Sequence, residues 1–144
     1  MKHCYNNLLY HLIFPTKSRR PMISTEVLEK IKTSFKEKEI ELEIKVFITN
    51  GIEDHIHSLV SIPPKHSVSH IVKHLKGYSS RLNPELTWSR GYSCLTVDES
   101  SFKRIYNYIA TQQDHHTTYP RFKPGVSRVV ADDTVVSHVI QETP

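Results

Sequence analysis

Apolar residues along this chain recur with two periods that take turns, and this alternation restricts the possible folds more than any other feature. Tyr5 to Phe14 reads as a first strand, ended by Pro15 and the basic loop Lys17-Ser18-Arg19-Arg20. Ser24 is placed to cap a helix whose apolar face is Val27/Leu28, Ile31 and Phe35, a helical spacing. Leu42, Ile44, Val46 and Ile48 then alternate with Glu43, Lys45, Phe47 and Thr49, the period of a strand. Asn50-Gly51 is a hairpin turn signal, leading into a strand from about Ile52 to Ile62. A two-residue turn there puts Val46 and Ile48 on the face of His55. A longer loop, or a bulge near Glu53-Asp54, flips that register, and the sequence leaves both open.

Pro63-Pro64 stop the strand, and Val68, Ile71, Val72, Leu75, Tyr78 and Leu82 form the stripe of a second helix closed by Asn83-Pro84. Tyr92 to Val97 reads as a short strand. Asp98 can cap a third helix running through Phe102 to about Gln113. The order β-α-β-β-α-β plus a helix predicts a ferredoxin-like (RRM-like) α+β fold, an antiparallel sheet with helices packed on it. Beyond Tyr119 the pattern fades at Pro120, Pro124 and Gly125, so residues 1–118 are expected to form the domain and 119–144 a tail.

Composition bounds the function classes. With 38% hydrophobic and 24% charged residues, the 144-residue chain is neither a disordered polyelectrolyte nor a membrane bundle. No apolar run nears the roughly 20 residues that span a bilayer, and Met1 to Asn7 lacks a secretory core, so a cytoplasmic protein is expected. Cys4 and Cys94 belong to no CxxC pair and read as reduced, small hydrophobes. A net charge of +4 permits a polyanionic partner without demanding one. The ten histidines are more informative, because imidazole is both metal ligand and proton shuttle.

His55-Ile56-His57 lies within a strand, so the two imidazoles project from one face and Ile56 from the other. Two neutral imidazoles so spaced can hold one divalent ion and leave positions for a third ligand, water and substrate oxygens. On the third helix Phe102, Ile105, Tyr106 and Ile109 share one arc, the expected core face. Arg104, Tyr108 and Gln112 form a stripe on its flank. Tyr106 is therefore the expected core tyrosine. Tyr108 is the expected reactive one, its hydroxyl at the boundary of core and solvent, with Gln112 one turn on to offer an amide oxygen to a metal. A half-buried Tyr on an ordinary surface helix is the plain alternative.

These stretches together resemble the single-tyrosine HUH transposases of the insertion-sequence 200/605 group. Asp54-His-Ile-His-Ser-Leu-Val-Ser-Ile-Pro-Pro-Lys65 is similar to that family's histidine–hydrophobe–histidine motif. Ser67 to Gly77 and Ser79-Ser-Arg-Leu82 look like its next helix. Trp88-Ser-Arg-Gly-Tyr92 and Tyr108-Ile-Ala-Thr-Gln112 match its later motifs, and Tyr10 to Lys17 with Arg20-Pro21 its opening strand. The likeness runs from about Tyr5 to His116; Thr117 to Pro144 matches no family pattern. It implies Tyr108 as nucleophile, His55, His57 and Gln112 as ligands of Mg²⁺ or Mn²⁺, and a 5′-phosphotyrosine with a free 3′-OH. It also implies single-stranded DNA with hairpins near element ends as substrate, and a homodimer in which one subunit's Tyr can serve the other's metal site.

A phosphodiester is anionic, so attack on it needs charge neutralisation and alignment above all. Lys17, Arg19, Arg20, Lys65, Lys73, Lys76, Arg81 and Arg104 are the candidates for tracking phosphates, and a merely solvated basic face is as plausible. His70 and His74, four apart, show no third ligand and read as surface residues; His115 and His116 are possible DNA contacts. Three other readings use overlapping residues: a domesticated nickase of repeated hairpins, a zinc hydrolase with an incidental tyrosine, and a non-catalytic nucleic-acid-binding sheet. The last would lean on stacking, for which only Phe47 and Tyr92 are obvious candidates.

Overall fold

A computed structural model describes residues 5–114; Cys4, His115, His116 and the tail 119–144 lie outside the described residues. Strand β1 (Leu9–Pro15) leads to helix α1 (Thr25–Glu37), the single turn α2 (Glu39–Leu42), and the hairpin of β2 (Lys45–Ile52) with β3 (His55–Ser61). Helix α3 (Val68–Leu82), strand β4 (Ser93–Val97) and helix α4 (Phe102–Ala110) follow. The sheet order is β2-β3-β1-β4 and every pair is antiparallel. This is the expected ferredoxin-like arrangement, with β1 and β3 at the centre. Both are covered on each face and buried along almost their whole length, including the polar residues of β3.

Helices α1 and α3 lie on one face of the sheet. Their predicted stripes hold: Val27, Leu28, Ile31 and Phe35 of α1, with Ile71, Val72 and Leu75 of α3, join Leu12, Phe14, Ile56 and Val60 in the larger core. Ser24 caps α1, its Oγ accepting from the Val27 amide at 3.1 Å. Leu82, assigned to the stripe of α3, is instead exposed, and Ser79 is buried in the last turn. Its hydroxyl donates to the Leu75 carbonyl and accepts from Trp88 Nε1 at 2.9 Å, so a hydrogen-bonded Ser anchors the loop that leads to β4.

The hairpin departs from the sequence expectation in an instructive way. Asn50 and Gly51 are not its turn; they pair with His57 and Ile56 inside the ladder, and the turn is Glu53-Asp54, flanked by Ile52 opposite His55. Leu42 belongs to α2, so β2 starts later than the alternation suggests. The register slips between Val46 and Ile48, Phe47 being the extra residue. A bulge moves the residues beyond it to the opposite face. Val46 therefore joins the core beneath α1 and α3, while Ile48 packs on the other side. Turn position alone could not have given this answer. Gly51 is required here: a Cβ at this position would lie 2.3 Å from the His55 carbonyl oxygen.

Candidate functional site

Among the described residues, the second face of the sheet carries one helix, α4. Leu9 and Ile13 of β1, Leu59 of β3 and Val97 of β4 meet Ile105, Tyr108 and Ile109 in a smaller apolar cluster. Strand alternation puts His11, His55 and His57 on this same face. All three imidazoles are fully buried, and Gln112 is too.

The geometry converges on His57. Its ring centroid lies 5.0 Å from that of His55, 5.0 Å from His11 and 5.8 Å from Tyr108, whose ring meets it edge-on at 84°. Tyr108 also stands edge-on to His11 at 6.3 Å. His55 Nδ1 is hydrogen-bonded to Asp54 Oδ1 at 2.8 Å, and His57 Nδ1 to His11 Nε2 at 2.8 Å. Burial pushes the His11 pKa down from 6.5 to about 3, so that ring is neutral at physiological pH. Asp54 is itself fixed by the backbone: its carbonyl accepts from the Thr16 amide at 2.9 Å and the Thr16 hydroxyl at 3.1 Å, tying the hairpin turn to the end of β1.

The two tyrosines exchange the surroundings the sequence suggested. Tyr106 is 37% exposed and stacks on Phe102, whereas Tyr108 is 7% exposed and sits against the histidines. The buried stripe of α4 is Ile105, Tyr108, Ile109 and onward to Gln112, not Phe102, Ile105, Tyr106 and Ile109. The cause is the surface that α4 covers. A face bearing His11, His57 and Asn50 accepts polar-tipped side chains, so Tyr108 and Gln112 turn inward where a purely apolar face would have selected Tyr106. The structure thus brings His55, His57, Tyr108 and Gln112 to one side of one sheet.

The docking of α4 is fixed by Asn50. Its amide donates to the carbonyls of Ile109 and Ala110 at 2.9 and 3.2 Å and to Gln113 Oε1 at 3.1 Å. Gln113 donates back to Asn50 Oδ1 at 2.9 Å and to the Gly51 carbonyl at 2.7 Å. These bonds satisfy carbonyls that a helix end leaves without intrahelical partners. Neither His11 nor Asn50 was singled out from the sequence. His11 had a readable signal, its even spacing from Leu9 and Ile13 along β1; Asn50 was hidden by its turn-like Asn-Gly context.

The basic candidates divide by location. Lys17, Arg19 and Arg20 lie in the turn after β1, beside the Asp54 end of the hairpin; Lys17 and Arg20 are exposed. Lys65, Lys73, Lys76 and Arg81 belong to α3 or the loop before it, across the sheet from α4. Of these, Lys65 is paired with Glu43 at 2.8 Å. Lys76 is half-buried, with its ammonium on the carbonyls of Ser89, Arg90 and Gly91 at 2.8, 3.2 and 2.9 Å, where it fastens the approach to β4. Arg81 stacks on Tyr78, and Arg104 bonds to Ser101 Oγ at 3.1 Å. Phe47, a stacking candidate, is engaged edge-on with Phe102 at 4.9 Å.

Among the described residues, no group of three or more His, Cys, Asp or Glu side chains is arranged to hold a metal ion. A metal at this face would rest on two imidazoles and an amide, His55, His57 and Gln112. The neighbouring groups suit that role, because ligating histidines commonly engage their other ring nitrogen with a fixed partner, as His55 does with Asp54 and His57 with His11. No helix among the described residues is long and apolar enough to cross a membrane.

Comparison with known proteins agrees with the geometry. The sequence profile described as "Transposase IS200 like" matches residues 4–112. The chain is 31% identical over 119 residues to the ISDra2 transposase TnpA of Deinococcus radiodurans, covering 74% of this chain and 85% of that protein. It is also 31% identical over 125 residues to the transposase for insertion sequence element IS200 of Salmonella typhimurium, covering 78% and 81%. Among solved structures, a candidate transposase from Deinococcus radiodurans R1 superposes with a TM-score of 0.63 at 27% identity, covering 78% of this chain and 95% of that one. A REP-associated tyrosine transposase bound to a REP hairpin shares the fold, with a TM-score of 0.64 at 11% identity over 81% and 73% of the two chains. The sheet, the helix on its histidine-bearing face and the matched sequence all lead to one assignment: the chain belongs to the IS200-like transposase family, which acts in DNA transposition.

Proposed function

We propose that this protein cleaves and rejoins single-stranded DNA at hairpin-marked ends through a 5′-phosphotyrosine formed on Tyr108. The observation that carries this reading is the burial of Tyr108 edge-on against His57, with Gln112 one turn further along the same face. The phenolic oxygen attacks phosphorus and loses its proton to solvent. The phosphorus–O3′ bond breaks, and the departing oxygen takes up a proton to become a 3′-OH. Rejoining is the reverse displacement by a different 3′-OH, which restores the tyrosine. The phosphoester energy is retained in the link, so no nucleotide cofactor is consumed.

His55, His57 and Gln112 would hold Mg²⁺ or Mn²⁺, which when bound supplies charge neutralisation at the scissile phosphate. A free tyrosine has a pKa near 10, so positive charge nearby favours the phenolate that attacks. Lys17, Arg19 and Arg20 are the basic side chains best situated to receive DNA, because their turn borders the Asp54 end of the hairpin. Hairpin DNA is the substrate to try first, given the REP hairpin held by the structural neighbour. The active form is a homodimer, and the packing of Tyr108 on His57 of its own chain favours a tyrosine that serves its own subunit.

The test incubates the full chain with labelled single-stranded hairpin DNA and Mg²⁺ or Mn²⁺ and looks for a denaturation-resistant adduct. Wild type and Tyr106→Phe should form it; Tyr108→Phe and His57→Ala should not. Cleavage that survives Tyr108→Phe without an adduct would point to a hydrolase, and binding without cleavage in wild type to a non-catalytic module.

A further inference from the structure

His11 has no role in the reaction as proposed above, yet its ring is fully buried beside the reacting groups. It comes from β1, diagonally across the sheet from His57, with Leu59 and Leu95 as its ladder partners. Its Nε2 faces His57 Nδ1 at 2.8 Å, with the two rings inclined at 39°. The same ring is edge-on to Tyr108. Leu and Ile fill the neighbouring positions on this side of β1, so a histidine here interrupts an otherwise apolar row. Burying imidazole in place of Leu is unfavourable unless it is hydrogen-bonded, and the bond made here is that of Nε2 to His57, while Nδ1 has no partner among the described residues.

Two ring nitrogens 2.8 Å apart must be one donor and one acceptor, and the reading of His57 as a ligand decides which is which. An imidazole that gives its Nε2 lone pair to a cation carries its hydrogen on Nδ1. His57 Nδ1 is then the donor, His11 Nε2 the acceptor, and the hydrogen of His11 sits on its own Nδ1. We propose that His11 is a positioning residue that locks His57 in the Nδ1–H tautomer and fixes its ring so that Nε2 faces the catalytic centre. This rests on the metal-ligand role of His57 given under the proposed function. The choice of imidazole over carboxylate has a physical sense. Asp54 already brings a negative charge to His55, and a second carboxylate beside His57 would repel the phosphate; a neutral ring sets the tautomer without adding charge.

The experiment has two arms, both on the full chain. Long-range ¹H–¹⁵N NMR of the metal-free protein reads the tautomer of His57 directly. Wild type should show Nδ1–H, His11→Leu should shift toward Nε2–H, and His11→Gln, whose amide oxygen can accept in the same place, should restore Nδ1–H. Mn²⁺ titration followed by electron paramagnetic resonance should show affinity falling about 10–100-fold in His11→Leu, the usual effect of removing such a partner, with His11→Gln recovering most of it. A His57 found as Nε2–H in wild type overturns the proposal, as does unchanged Mn²⁺ affinity in a folded His11→Leu. If His11→Leu does not fold, the wild-type tautomer and the His11→Gln titration still decide. Wild type that binds no Mn²⁺ while His57 is Nδ1–H would sink the metal reading and leave the hydrogen-bond assignment standing.

Discussion

At the scale of single residues, burial governs how His11 behaves. Loss of solvent holds His11 neutral down to about pH 3, whereas in the unfolded chain it protonates near 6.5. Between those values the unfolded state carries a proton the folded state lacks, so stability falls as pH drops through that window. For one proton the slope is about 1.4 kcal/mol per pH unit, and it flattens below the folded pKa. Urea unfolding of wild type and His11→Gln from pH 7 to pH 4 should show wild type losing stability faster by this amount; equal slopes would remove His11 as the cause. The pair His55 and His57 was readable from the sequence because strand alternation needs only two positions. For His11 the spacing along β1 showed the face but not the partner, because it meets His57 from 46 residues away through strand pairing. The exchange between Tyr106 and Tyr108 was hidden for a related reason: helical periodicity predicts an apolar stripe, and here the partner surface is partly polar.

At the scale of elements, α1 and α3 were legible, whereas the inward stripe of α4 and the turn of the hairpin were not. The caps and stripes of α1 and α3 are local, and the structure matches them closely. The slip at Phe47 is non-local, set by the need to satisfy one core at Val46 and another at Ile48. Helix α4 is nine residues long, too short to hold itself in water without tertiary support. Asn50 provides much of that support through the carbonyls of Ile109 and Ala110 and the side chain of Gln113. Asn50→Ala removes these hydrogen bonds, at a cost of about 1–3 kcal/mol. Hydrogen exchange should accelerate in α4 well beyond any change in α1 or α3, and the yield of DNA adduct should fall with it. Uniform acceleration across all helices would mean that Asn50 stabilises the hairpin and not the docking.

Across the whole molecule, the sheet separates two apolar clusters of unequal size. The larger one unites α1, α3 and three strands, and its loss is loss of the fold. Leu75→Ala should lower the free energy of global unfolding by about 2–5 kcal/mol, read by chemical denaturation. Ile105→Ala, in the smaller cluster, should release α4 before the rest unfolds, visible as a first transition in near-ultraviolet signals from Tyr108 that precedes loss of helical signal. A single coincident transition would show that the two clusters unfold together. The fold class was available from the order of periods alone. The arrangement of the site required knowing which face lacks the helix pair, and that follows from packing.

The hairpin of β2 and β3 holds, on strands joined by two residues, both the imidazole pair and the amide that pins the tyrosine helix. The two imidazoles and the side chain that docks α4 therefore lie on one continuous stretch of chain. Under the proposed function, transplanting residues 45–61 into a distant relative would carry two of the three ligands with the anchor for α4, whereas swapping α4 alone would deliver Tyr108 without Asn50 to aim it.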